Sequence, residues 1–287
     1  MTKRITKRPR RAKPVPLEPG TLPINILVEM MCAAHLSSYV VSPFPDRGGL
    51  MVIGPPSVLK STLLEMLDHH YHDAVTVSDI NARSLADLRD QIAAKVIRTL
   101  VIPEYAKLHD RHPYTAVNVE GVLRALVGEG FSSPSFEDAR INRLRARVTL
   151  LSGMVPKFQV DHFRAWEDSG FNRRFLWCLV RLKDPELLER AVEEWHRVDF
   201  KIRHVPIAPE GDVPIPQQTT KLERAELRGM VKYQPGGSHT IQLALLVKML
   251  AVLKWWYSAV RRPQGEALRN MRLFALTLGK EGAELVV

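Results

Sequence analysis

The chain has 287 residues, of which 45% are hydrophobic and 25% are charged. It is long and apolar enough for one large or two modest domains, which excludes a chain that is disordered throughout. The net charge is +10, and seven cations precede the first acid, Glu18. The basicity therefore belongs mainly to an arm at residues 1–20, which we predict to be disordered alone and to bind nucleic acid through charge.

The spacing of the cysteines and the hydropathy of the chain indicate the cellular compartment of the protein. Cys32 and Cys178 lie far apart and form no metal-like or redox-like pair, so the sequence predicts a reducing, intracellular environment. The N-terminus lacks the apolar core of a signal peptide. The most apolar stretch, at residues 243–257, carries Lys248 and Lys254, so no membrane span is expected.

Short apolar runs alternate with segments of helical periodicity over the first two thirds of the chain. The predicted strands lie at residues 50–53, 74–77, 99–102, 148–152 and 175–182, and the predicted helices at 22–36, 61–69, 84–97 and 117–127. Such alternation predicts an α/β fold, in which a five-stranded, mainly parallel sheet has helices on both faces. We assign this core, with its preceding helix, to residues 21–183.

The alternation of predicted strands and helices ends after residue 184. Helices are predicted at residues 185–198, 225–233 and 241–260, and a proline-rich linker lies at about residues 205–218. The sequence therefore predicts a small α-helical C-terminal region at residues 184–287.

One loop between a predicted strand and a predicted helix resembles the Walker A phosphate loop, G-x-x-x-x-G-K-[S/T]. The candidate phosphate-binding residues are Gly54, Pro55, Pro56, Ser57, Val58, Leu59, Lys60, Ser61 and Thr62. In such a loop, backbone N–H groups at the helix N-terminus attract phosphates and the Lys60 ammonium reaches the β and γ oxygens, while the Ser61 hydroxyl ligates Mg²⁺. The resemblance implies ATP and Mg²⁺ as cofactors.

Leu59 departs from this pattern because it stands at the second glycine, where a side chain crowds the backbone around the β-phosphate. The alternative interpretation is a turn that only begins a helix and leaves Lys60 in solvent.

Two further segments resemble motifs that accompany such a phosphate loop in ATPases. Thr99-Leu100-Val101-Ile102-Pro103-Glu104 resembles a Walker B segment at the end of a neighbouring strand, with proline in place of the usual magnesium-linked aspartate. Gly170-Phe171-Asn172-Arg173-Arg174-Phe175-Leu176 resembles the arginine-phenylalanine box of AAA+ domains. Together with the loop, these segments resemble P-loop ATPases of phages and mobile elements that are related to AAA+ replication helicases, over about residues 45–182.

The resemblance implies a P-loop NTPase sheet of the additional-strand, AAA+-like class and assigns roles to individual residues. Glu104 becomes the general base that polarises the attacking water, and Ser152 is the nearest hydroxyl at the predicted sensor strand. Arg173 or Arg174 becomes a finger that reaches the γ-phosphate of the adjacent subunit, which implies a homo-oligomeric ring, with a hexamer expected. The alternative for Glu104 is a solvated residue that caps the next turn, and for the arginines a solvated turn.

Four arginines crowd the segment before the predicted sensor strand: Arg140, Arg143, Arg145 and Arg147. In an extended hairpin the last three share one face, which could contact DNA phosphates. A solvated strand edge that charge keeps soluble is an equal alternative.

These features predict an ATP-binding, ATP-hydrolysing motor or loader that acts on DNA during phage or mobile-element replication, in the cytoplasm of a bacterial host. Replication or packaging proteins are its expected partners. Two alternatives remain: a nucleotide-gated interaction or regulatory module with a degenerate loop, and a DNA-packaging ATPase.

Overall fold

A computed structural model of the chain describes residues 23–44, 47–56, 59–78, 82–110, 113–128, 130, 147–180, 193–194, 196–210, 214–232, 234–235 and 240–277. The predicted basic arm and most of the helix predicted at 185–198 lie outside this described part. So do Ser57 and Val58 of the predicted phosphate loop.

The five described strands form one parallel sheet. They are β1 (Gly49–Ile53), β2 (Ala74–Thr76), β3 (Thr99–Ile102), β4 (Thr149–Met154) and β5 (Phe175–Leu179). Their spatial order is β2-β3-β4-β1-β5, and every neighbouring pair is parallel. All residues of β1, β3, β4 and β5 are buried, which explains why these strands read as continuous apolar runs. The predicted five-stranded parallel α/β sheet is confirmed.

The register corrects one expectation. Ser152 of β4 lies opposite Met51 of β1 on one side and opposite Ile102 of β3 on the other. The strand that ends before Glu104 is therefore not the direct neighbour of β1, because β4 lies between them. The alternation of strands and helices alone does not give this order, since the order of parallel strands depends on how the crossovers pack.

Helices connect and cover the strands. The described helices are α1 (Ile24–Leu36), α2 (Lys60–His70), α3 (Ala82–Ala93), α4 (Pro113–Val127), α5 (Pro156–Asp168), α6 (Val198–His204), α7 (Lys221–Val231), α8 (Thr240–Ala259) and α9 (Gly265–Thr277). Short 3₁₀ turns occupy Ser37–Tyr39, Tyr105–Leu108 and Asn172–Arg174. Helical periodicity did not predict α5, α6 or α9, whose apolar positions are separated by charged and polar residues.

The C-terminal helices share one hydrophobic core with the sheet, because α8 and α9 pack on both α1 and β5. A buried carboxylate ties them together. Glu29 of α1 lies 2.8 Å from Nη1 of Arg262, 2.7 Å from Nδ1 of His204 and 3.0 Å from Nδ2 of Asn270. It also accepts a hydrogen bond from the Tyr257 hydroxyl. One side chain therefore joins α1 to three later parts of the chain.

Within the described part of the chain, α8 alone is long and apolar enough to cross a membrane by length and composition. In the fold, 72% of its most apolar window is buried. It packs as the core helix of this structure, which agrees with the expectation that residues 243–257 do not span a membrane.

Candidate functional site

A cavity of about 610 Å³ opens at the carboxyl ends of β1, β3 and β4. Open parallel sheets bind their ligands at this edge. The lining residues come from the loop before α2 and its first turn, from the segment after β3, and from the end of β4: Pro56, Leu59, Lys60, Ser61, Thr62, Pro103, Glu104, Ala106, Gly153, Met154 and Val155. The structure thus brings the predicted phosphate loop and the predicted general base to one cavity.

The loop reaches the cavity through an unusual backbone conformation. Gly54 follows β1 and its amide donates to the carbonyl of Met154, which fixes the start of the loop against β4. Leu59 has φ +57° and ψ +11°, in the left-handed region, directly before α2 begins at Lys60. Glycine takes this conformation without strain, whereas a side chain makes it costly. The position that needs a glycine by its geometry is thus the one where the sequence departs from the Walker A pattern.

The Lys60 ammonium is held at the mouth of the loop. Its Nζ donates a hydrogen bond of 2.6 Å to the carbonyl of Pro55. Burial lowers the pKa of Lys60, while the carboxylate of Glu104 acts in the opposite direction. Lys60 is therefore a half-buried cation whose present partner is a neutral carbonyl.

Glu104 has a cationic partner that the sequence analysis did not identify. Nζ of Lys107, one turn further along the chain, lies 2.8 Å from Oε2 of Glu104. Both side chains are more than half exposed, at 59% and 53%. The hydrogen bond with Glu104 raises the pKa of Lys107. The candidate base is thus an ion-paired carboxylate in this structure.

The cavity offers few ligands to the expected Mg²⁺. Ser61 and Thr62 contribute hydroxyls and Glu104 the single carboxylate of the described lining, but Pro103, which stands where the metal-linked aspartate is usual, has no side-chain oxygen. Mg²⁺ is usually held by one or two carboxylates together with substrate phosphates. Within the described part of the chain, no cluster of three or more His, Cys, Asp and Glu side chains could hold a metal ion. The described lining therefore does not fit the usual magnesium site of this class of loop.

Ser152 does not reach the cavity. It is fully buried in β4, and its hydroxyl donates a hydrogen bond of 2.6 Å to the carbonyl of Ile102 in β3. This side chain thus strengthens the β3–β4 pairing instead of facing a ligand. The predicted strand ends at Ser152, whereas β4 continues to Met154, and Gly153 and Met154 line the cavity.

The two predicted finger arginines differ in their surroundings. Arg174 is 7% exposed, and its Nη1 donates a hydrogen bond of 2.6 Å to the carbonyl of Gly170. Arg173 is exposed, and its guanidinium lies over Gly170, where a Cβ would come within 2.8 Å of Nε of Arg173. Of the pair, Arg173 is the side chain that solvent or another molecule can reach.

The predicted basic hairpin is described only at its end. Arg140, Arg143 and Arg145 lie outside the described residues. Arg147 is half-buried, and its Nε donates a hydrogen bond of 3.1 Å to the carbonyl of Gly128 after α4.

Two site residues escaped the sequence analysis. Lys107 follows Glu104 at the i,i+3 spacing typical of helical ion pairs, and this spacing was a usable signal. Gly153 matters because a Cβ there would lie 2.7 Å from the carbonyl oxygen of Pro103. No local pattern marks Gly153, since the contact depends on the packing of β4 beside the turn after β3.

No protein-family model matches the chain, and no curated protein is found to be similar to it. The function is therefore inferred from the fold and from the geometry of this cavity.

Proposed function

We propose that the cavity binds ATP through the loop at residues 54–62. The main support is that Lys60, Ser61 and Glu104, which the sequence identifies separately, line one cavity at the carboxyl edge of a parallel sheet. An inserted strand, β4, separates the loop strand from the acid strand, which is the feature that gives the additional-strand class its name. Backbone N–H groups in the first turn of α2 would receive the phosphates.

The residues then have defined tasks. Lys60 leaves the carbonyl of Pro55 and contacts the β and γ oxygens, where its half-buried ammonium forms charge-assisted contacts with phosphate. Glu104, once it separates from Lys107, accepts a proton from the attacking water. Arg173 supplies a guanidinium to the transferring phosphoryl group of an adjacent subunit.

We further propose that this chemistry drives a motor or loader that acts on DNA in phage or mobile-element replication, as a homo-oligomeric ring in the bacterial cytoplasm. The DNA part of the proposal is supported by the basic arm and the arginines at residues 140–147, which are sequence features. Replication or packaging proteins are the proposed partners.

Steady-state release of phosphate, measured with and without single-stranded DNA, tests this function. The proposal predicts turnover that DNA stimulates and that Glu104→Gln abolishes while ATP still binds. Glu65→Gln is the matched control, because Glu65 is an exposed acid of α2 that does not line the cavity. Turnover that is insensitive to Glu104→Gln would exclude Glu104 as the base.

A second candidate is a nucleotide-gated regulatory module that binds ATP without turnover. Two observations favour it: Pro103 stands where a metal-linked carboxylate is usual, and Glu104 is already paired with Lys107. In this case ATP binds, but the same assay detects no phosphate release with or without DNA.

A further inference from the structure

One ammonium group, on Lys107, pairs with the single carboxylate among the described residues that line the cavity, and a second, on Lys60, belongs to the same lining. Nζ of Lys107 lies 2.8 Å from Oε2 of Glu104, and the charge of Glu104 also acts on Lys60. We infer that Lys107 joins Lys60 in neutralising the nucleotide phosphates, so that ATP binds at this cavity without a divalent metal. This inference rests on the proposed function, because it concerns how the same site holds ATP.

Lys107 can exchange its partner at little cost. The pair that it forms with Glu104 is 59% and 53% exposed, and ion pairs between exposed side chains are weak. A triphosphate carries more negative charge than one carboxylate, so it competes effectively for the ammonium. The exchange also frees the Glu104 carboxylate, which couples the arrival of the phosphates to the release of the candidate base.

The charge of the cavity and its few oxygen ligands both favour ATP binding without a divalent metal. Two ammonium groups together carry the charge of one divalent ion. Pro103 offers no side-chain ligand, and Ser61 and Thr62 supply hydroxyls rather than carboxylates, so the oxygen ligands that usually favour Mg²⁺ are few. Lys107 lies on the 3₁₀ turn Tyr105–Leu108, and the adjacent Ala106 lines the cavity. The side chain therefore starts from the rim of the site.

The dissociation constant of a fluorescent ATP analogue, measured in Mg²⁺ and in EDTA, tests the inference. For the wild type we expect the two values to agree within about threefold. Lys107→Ala should weaken binding in EDTA by about tenfold or more, because a charge-assisted contact to phosphate is lost. Lys107→Arg, which keeps the charge, should bind like the wild type. Lys232→Ala is the matched control, since Lys232 is exposed at the end of α7 and remote in sequence from the cavity.

The outcomes separate the inference from the function on which it rests. If the wild type binds the analogue in Mg²⁺ but at least about tenfold more weakly in EDTA, the inference is wrong and the proposed function stands. If Lys107→Ala binds like the wild type in EDTA, Lys107 has no part in charge neutralisation and the inference is also wrong. If the analogue binds in neither buffer, the proposed function fails as well.

Discussion

The carbonyl oxygen of Pro103 approaches the backbone of Gly153 so closely that a Cβ at position 153 would lie 2.7 Å from it. The same Cβ would lie 3.1 Å from Cδ1 of Leu64 in α2. A glycine at the end of β4 therefore lets the turn that carries Glu104 and the helix that carries Lys60 close around one cavity.

Gly153→Ala should lower the free energy of unfolding by about 1–3 kcal/mol, the usual cost of forcing an atom into packed backbone. It should also weaken ATP binding, because the segments that bear Lys60 and Glu104 must move apart. Urea unfolding and equilibrium binding measure the two effects. Gly229→Ala is the control: nothing lies within 4 Å of its Cβ position in α7. That substitution should raise stability by about 0.5–1 kcal/mol. Equal effects of the two substitutions would contradict the close approach.

Because Leu59 has a left-handed conformation, we expect glycine to be more stabilising than alanine at this position, which is the reverse of their order in a helix interior. Leu59→Gly should be more stable than Leu59→Ala by about 1 kcal/mol, because both lose the side chain beyond Cβ but only glycine adopts a positive φ without strain. Urea unfolding of the two variants gives the difference directly. In a helix interior alanine is the more stable residue, so that order at position 59 would show that the loop does not hold this conformation.

The contrast between Arg173 and Arg174 predicts two separate phenotypes. Arg174→Ala should lower the melting temperature, because a buried hydrogen bond to the carbonyl of Gly170 is lost. Arg173→Ala should leave the melting temperature unchanged and, in a hydrolysing ring, lower turnover by about a thousandfold. Mixing Arg173→Ala with Lys60→Ala should restore some activity, since some interfaces would pair an intact loop with an intact arginine. If the Arg173→Ala variant is a monomer and retains full turnover, an arginine finger that acts between subunits is excluded.

Two glutamates paired with arginines in the C-terminal region should differ sharply in their importance. Glu29 is fully buried against Arg262, so Glu29→Ala should cost about 3–5 kcal/mol by leaving a partly buried guanidinium without its carboxylate. Glu226 pairs with Arg272, which is 55% exposed, so Glu226→Ala should cost less than about 1 kcal/mol. Thermal unfolding of both variants measures the contrast. Similar losses would mean that the carboxylate does not tie α1 to the later helices.

Buried parallel strands were the most predictable part of the fold. Leu50 to Ile53 and Thr99 to Ile102 are short apolar runs bounded by loop residues, and both are strands in the structure. By contrast, α5 was missed because buried Trp166 lies among charged residues, although Pro156 at its first turn was an available signal.

Site residues that belong to a local sequence motif were predictable, whereas contacts that depend on how the strands pack were not. Lys60, Ser61 and Glu104 were identified from the residues around them, and all three line the cavity. The role of Ser152 could not be read from sequence, because its hydrogen bond to Ile102 depends on the register between β3 and β4. The i,i+3 spacing made the pair of Lys107 and Glu104 predictable as an ion pair, but it did not reveal that Lys107 lies beside the cavity.

The melting temperature with and without ATP, in a buffer containing Mg²⁺, tests most directly whether the cavity around Lys60 binds the nucleotide. At about a hundred times the dissociation constant, ATP should stabilise the wild type and the Lys232→Ala control by about 2.7 kcal/mol. Lys60→Ala should show little or no upward shift, because the ammonium that contacts the phosphates is gone. An equal shift in Lys60→Ala, or no shift in the wild type at millimolar ATP, would contradict the assignment of this cavity as an ATP site.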